Sequence, residues 1–69
     1  MRLTEFHRLV IGEFGDTGGD FVVHSHVLAD HGKTGEELLE CGIDPAVVWA
    51  ALCEDFQVPP ERRLGPDEP

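Results

Sequence analysis

Ile43-Asp44-Pro45-Ala46-Val47-Val48-Trp49-Ala50-Ala51-Leu52-Cys53-Glu54-Asp55-Phe56 is the stretch whose reading decides the fold. Asp44 is a natural N-cap, because its carboxylate accepts a hydrogen bond from an otherwise unpaired amide of the first turn. Pro45 follows at the first helical position, where a missing N–H costs nothing. Ile43 and Val48 have the spacing of a hydrophobic staple. Val48, Trp49, Leu52, Cys53 and Phe56 then recur at helical period, forming one apolar stripe. Pro59 and Pro60 end the pattern. The stretch therefore predicts a helix over 45–57, with Trp49, Leu52 and Phe56 in the core.

Working upstream, Thr34 and Glu37 have capping-box spacing and predict a short helix over 35–41 carrying Leu38, Leu39 and Cys41. Gly42 is placed to end it in a left-handed turn, with Ile43 reaching back to Leu38. The two helices should then meet at a fixed angle. Further back, Thr4 is a candidate cap for a helix over 4–14, with Phe6, Leu9, Val10 and Phe14 on its apolar side and Gly15 at its end. Gly12 inside it costs about 1 kcal/mol relative to alanine. Between these lies the most ambiguous segment. Thr17 and Asp20 resemble a capping box, and Phe21, Ser25, Leu28 and Ala29 form a stripe on a helix over 18–31 closed by Gly32. Phe21-Val22-Val23 and Val27 favour a strand, and Gly18 and Gly19 are poor in a helix. A lone strand would have no partner, so the helix is the preferred reading.

The fold class that follows is all-α: a bundle of about four short helices over residues 1–60, with a disordered C-terminal tail over 61–69. The chain has 69 residues, enough for one domain. A chain this short buries only about 60% of its unfolded surface, leaving one small apolar cluster. Phe6, Phe14, Phe21, Trp49 and Phe56 are its only aromatic residues, and nearly all should lie inside. Fourteen acidic and five basic residues give a formal charge of −9. That field repels nucleic acid and anionic membrane and favours a basic protein partner.

The order and spacing of Met1-Arg2-Leu3-Thr4-Glu5-Phe6, Phe14-Gly15, Asp30, Gly32, Gly42-Ile43-Asp44-Pro45, Val48-Trp49, Cys53 and Val58-Pro59-Pro60 with Arg62-Arg63 resemble a family of small actinobacterial proteins classed as a domain of unknown function. The resemblance covers the chain up to Arg63. It implies an all-helical fold, with members encoded near a recombinase and its regulator, and it carries no catalytic residues. The sequence departs from that family in having His7 where an aromatic residue is expected, and a more β-branched stretch over 21–26.

No constellation of residues points to catalysis, a metal or a cofactor. His24 and His26 would point about 200° apart on a helix, since each residue turns about 100°. They would share a face only on a strand. His24 and His31 are two turns apart, and neither cysteine completes a zinc spacing. Cys53 with His7 or His24 is a conceivable nucleophile pair, but Cys53 lies on the apolar stripe, where a thiol acts as a small hydrophobe. Cys41 also falls on an apolar helical position. The pair reads as two buried free thiols of a reducing compartment, and the absence of a leader or an apolar run of membrane length agrees with the cytoplasm.

Two binding surfaces remain. Val47, Ala50 and Ala51 form a small apolar strip beside Glu54 and Asp55, suited to dock a partner helix or to be covered by the first helix. Arg62 and Arg63 are the other candidate contact. A non-enzymatic interaction module is the functional expectation. The alternative is a helix-turn-helix accessory in DNA transactions, since 35–41, Gly42 and 45–57 have the right dimensions. Against it, the outer face of the second helix offers Glu54 and Asp55 and no cation for phosphate.

Overall fold

The computed structural model of the chain describes residues 1–64. The expected tail therefore lies, from residue 65 on, outside the described residues. Helices α1 (Leu3–Phe14), α2 (Asp16–Ser25), α3 (Gly35–Glu40) and α4 (Pro45–Asp55) are followed by a 3₁₀ turn, Pro60–Arg62.

The local signals for α3 and α4 act as the sequence predicts. Thr34 Oγ1 accepts from the Glu37 N–H at 3.2 Å, and Glu37 Oε1 accepts from the Thr34 N–H at 2.9 Å, completing the capping box. Gly42, at φ 88°, turns the chain so that the Ile43 N–H reaches the Leu38 carbonyl and the Gly42 N–H the Leu39 carbonyl, both at 3.0 Å. That is a Schellman ending, and glycine takes its left-handed position without steric cost. Asp44 Oδ1 then accepts from the Ala46 N–H at 2.8 Å, with Pro45 at the first helical position.

The first half departs from the sequence expectation. α1 begins at Leu3, and its flanking Arg2 makes no side-chain cap, so Thr4 is inside the helix. Gly15, at φ 82°, ends α1 and starts α2 in one residue. α2 therefore covers Asp16–Ser25 rather than 18–31, and Thr17 and Asp20 are helical rather than a capping box. Its buried face is Gly19, Val22 and Val23, while Phe21 is 66% exposed. Gly19 has a packing reason: a Cβ there would lie 2.8 Å from Val10 Cγ1 of α1. The missing side chain lets the two helices approach closely.

Residues 26–34 form a loop instead of continuing the helix. Val27 pairs with Thr34 in an isolated antiparallel bridge, the Leu28 N–H donates to the Lys33 carbonyl at 2.9 Å, and Gly32 closes the turn at φ 68°. Leu28 is fully buried from this loop.

The core joins Phe6, Leu9 and Val10 of α1 and Val22 and Val23 of α2 to Leu38 of α3 and Val48, Trp49, Leu52 and Cys53 of α4, with Leu28 and Val58 from the connections. Trp49 and Leu52 are inside as predicted, but Phe56 is 41% exposed. The cause is the end of α4. Gln57 takes φ 55° and swings the chain, so that Val58 enters the core in place of Phe56. Phe56 lies instead against Phe14 and His26, with ring centroids 5.3 and 4.6 Å away. Cys41, expected inside, caps α3 and is exposed, whereas Cys53 is fully buried.

Candidate functional site: the outer face of α4

The strip is open. α1 and α3 pack on other sides of α4, and Val47 is 46% exposed, with Ala50 exposed one turn on. Ala51 is half-buried against the core and contributes only an edge. Val47, Ala50 and Glu54 follow one another at steps of three and four along one side of α4. Ile43, partly exposed, stands just before its N-cap. Sequence reasoning left Ile43 out of the strip because both the preceding turn and the staple claimed it.

The two acids at the far end of the strip part ways. Glu54 is exposed, and its Oε2 meets Arg63 Nη2 at 3.2 Å. Asp55 turns under the helix with its side chain only 16% exposed. Its Oδ2 accepts from the Ala29 N–H at 3.0 Å and sits 2.9 Å from His26 Nε2. The Ala29 N–H bond, reinforced by His26, holds the Asp55 carboxyl below the usual carboxylate range. Asp55 thus ties the 26–34 loop to α4 and leaves the docking strip.

Arg62 and Arg63 both have partners within the chain. Arg62 forks onto Glu13 of α1, with Nε–Oε1 at 3.2 Å and Nη2–Oε2 at 3.0 Å. Arg63 Nε donates to the Val58 carbonyl at 2.9 Å. Together they fold residues 59–63, which the sequence reading divided between domain and tail, back onto α1 and α4.

The histidines are dispersed. His24 Nε2 lies 3.2 Å from Asp20 Oδ1 and its Nδ1 2.8 Å from Glu36 Oε2, His26 faces Asp55, and His31 is exposed. His7 and His24 line one shallow cavity of about 110 Å³ with Asp16, Asp20, Val10 and Val23. Among the described residues no three His, Cys, Asp or Glu side chains are set to hold a metal ion. Cys53 is absent from the cavity lining, and burial pushes its thiol pKa up, away from the nucleophilic thiolate. Among the described residues no helix is long and apolar enough to cross a membrane.

Residues 1–61 match the family described as "Protein of unknown function (DUF3046)". The chain belongs to that family. No curated protein and no solved structure matches it. The family match spans all four helices and reaches Glu61 in the 3₁₀ turn, so the strip on α4 lies wholly within the family's own domain.

Proposed function

We propose that this family member is a non-enzymatic, cytoplasmic interaction module that docks a basic helical segment of a partner protein along Ile43, Val47, Ala50 and Glu54. The observation that carries the reading is that Val47 and Ala50 stay exposed after α1 and α3 have packed. A strip of small residues admits close approach of a partner helix, which is how an apolar face recognises an amphipathic one. The acid at its end and the charge of −9 favour a cationic partner and disfavour a second copy of this chain. An exposed free Cys41 suits a reducing compartment.

The competing reading, a helix-turn-helix accessory in DNA transactions, draws support from the tight turn between α3 and α4. It is opposed by Glu54 on the outer face. Affinity capture separates the two. The native chain should retain a basic protein that Val47→Glu and Ala50→Glu release while helical circular dichroism is unchanged. Equal capture by the variants, or capture abolished by nuclease, overturns the docking reading.

A further inference from the structure

We propose that His24 is a proton-dependent latch across the joint between α2 and α3, closed while the ring carries both protons and opened when it loses one. Its two nitrogens face carboxylates from two different helices: Asp20 one turn back on α2, at 3.2 Å from Nε2, and Glu36 in the first turn of α3, at 2.8 Å from Nδ1. An ionised carboxylate only accepts hydrogen bonds, and a neutral imidazole has one N–H and one lone pair. The neutral ring therefore serves one carboxylate and turns a lone pair on the other. Only the imidazolium has an N–H for each side, donating a charge-assisted bond to Glu36 and pairing in charge with Asp20.

The titratable groups facing His24 are His7 from α1, Asp16 and Asp20 from α2, and Glu36 from α3. Three carboxylates favour the charged ring and one imidazole opposes it. The hydrogen bond to Glu36 raises the His24 pKa above its ordinary value, helped by the charges of Glu36 and Asp20 and opposed by desolvation. The side chain is 45% exposed, so the proton exchanges directly with solvent and the ring follows bulk pH.

The latch adds to the apolar core in which Val22 and Val23 of α2 and Leu38 of α3 are buried together. The two helices also come close where Gly35 approaches Val23, a Cβ there falling 3.6 Å from the Val23 carbonyl oxygen, and the loop between them is tied by the Val27–Thr34 bridge. Because the Schellman turn makes α3 and α4 one unit, the latch links α2 to that unit in addition to the core packing of Val22 and Val23. With the folded pKa above the unfolded one, the stabilisation is complete below the unfolded value and disappears as pH rises through the folded midpoint.

Ring-nitrogen NMR of the full chain, with melting temperature followed across pH, tests this. The His24 midpoint should exceed the ordinary imidazole value of about 6.5 and fall in Glu36→Gln. The melting temperature should drop as pH rises through that midpoint in the native chain, and His24→Gln should lack that drop. A midpoint at or below the ordinary value, a midpoint unmoved by Glu36→Gln, or the same drop in His24→Gln overturns the proposal. All these positions are exposed, so the variants retain the core.

Discussion

The indole Nε1 of Trp49 donates a hydrogen bond to the main-chain carbonyl of Arg63 at 2.9 Å, fastening the C-terminal turn over the core helix. The bond solves two problems together. A buried indole N–H needs an acceptor, and the 3₁₀ turn needs an anchor. Arg63 in turn holds Val58 through its carbonyl and Glu54 through its carboxylate, so the turn is pinned at three points of the α4 end.

Trp49 should therefore report on the turn. Trp49→Ala removes a 5% exposed side chain and should cost about 3–5 kcal/mol, a large part of what a domain of this size has. Ending the chain at Pro60 leaves the indole intact but removes its acceptor. That change also removes the Arg62–Glu13, Arg63–Val58 and Arg63–Glu54 contacts, so it should cost about 1 kcal/mol or more and shift the fluorescence of this sole tryptophan to the red. Chemical denaturation and emission spectra check both. An unshifted emission maximum in the shortened chain would mean that the turn does not cover the indole.

Gln57 holds a position that glycine fills elsewhere in the molecule. At φ 55° it lets the Val58 N–H reach the Cys53 carbonyl at 2.9 Å, as Gly42 does for α3. A side chain in that conformation costs on the order of 1 kcal/mol. The Gln57 side chain is exposed, so Gln57→Gly should stabilise the fold by about 0.5–1 kcal/mol, and Gly42→Ala should destabilise it by about 1 kcal/mol or more. Denaturation midpoints that move the opposite way would show that the α4 ending depends on side-chain contacts of Gln57.

These two turns also show where the sequence was legible. Three signals confined to a few neighbouring residues read correctly, Thr34 with Glu37, Gly42 with Ile43, and Asp44 with Pro45, whereas the Thr4 cap and the Thr17–Asp20 box, equally local, did not. The other failures depended on distant partners. Gly19 looked like a weakness in a helix, and only the approach of Val10 explains it. Phe21 and Phe56 were assigned inside from apolar stripes, but α2 runs over Asp16–Ser25 and turns Val22 and Val23 inward, and Val58, brought in after the positive φ of Gln57, fills the core beside α4. Arg62 was read as a candidate partner contact, and its partner is Glu13 of the same chain, which no local pattern connects to it. Of the proposed site, Val47 and Ala50 were visible as the residues left over by the α4 stripe. Asp55 belongs to the loop contact, which required knowing that α2 stops at Ser25.

The two thiols should differ in reactivity. Cys41 is exposed at the end of α3, while Cys53 is fully buried with its pKa pushed up. Under native conditions a thiol reagent should modify one cysteine per chain quickly, and both only in denaturant. The unreduced monomer should show no loss of two hydrogens by mass spectrometry. Rapid modification of both thiols in the native state would mean that the α4 core opens readily.

The final prediction concerns charge. Non-specific binding of duplex DNA draws its affinity from cations that displace phosphate counterions. Here Arg62 and Arg63 are engaged by Glu13 and Glu54, the N-terminal ammonium lies 3.4 Å from Asp44 Oδ1, and Glu54 stands on the outer face of α4. Binding to a random duplex at physiological salt should therefore be weaker than about 10⁻⁴ M. Salt should act on stability through two opposed effects. It screens the exposed ion pairs, each worth about 0.2–1 kcal/mol, which lowers stability. It also screens the mutual repulsion among fourteen acids opposed by five bases, within a Debye length of about 8–10 Å. With a net charge of −9, acid–acid pairs outnumber the ion pairs, so repulsion dominates and modest salt should raise the melting temperature. A gel-shift titration measures the DNA binding, and melting curves at low and moderate salt measure the balance of the two salt effects. Micromolar, salt-sensitive DNA binding would show that phosphate displaces Glu13 and Glu54 from their arginines, and the helix-turn-helix reading would then replace the docking strip. A melting temperature that falls with salt would show instead that the arginine clasps outweigh the net field.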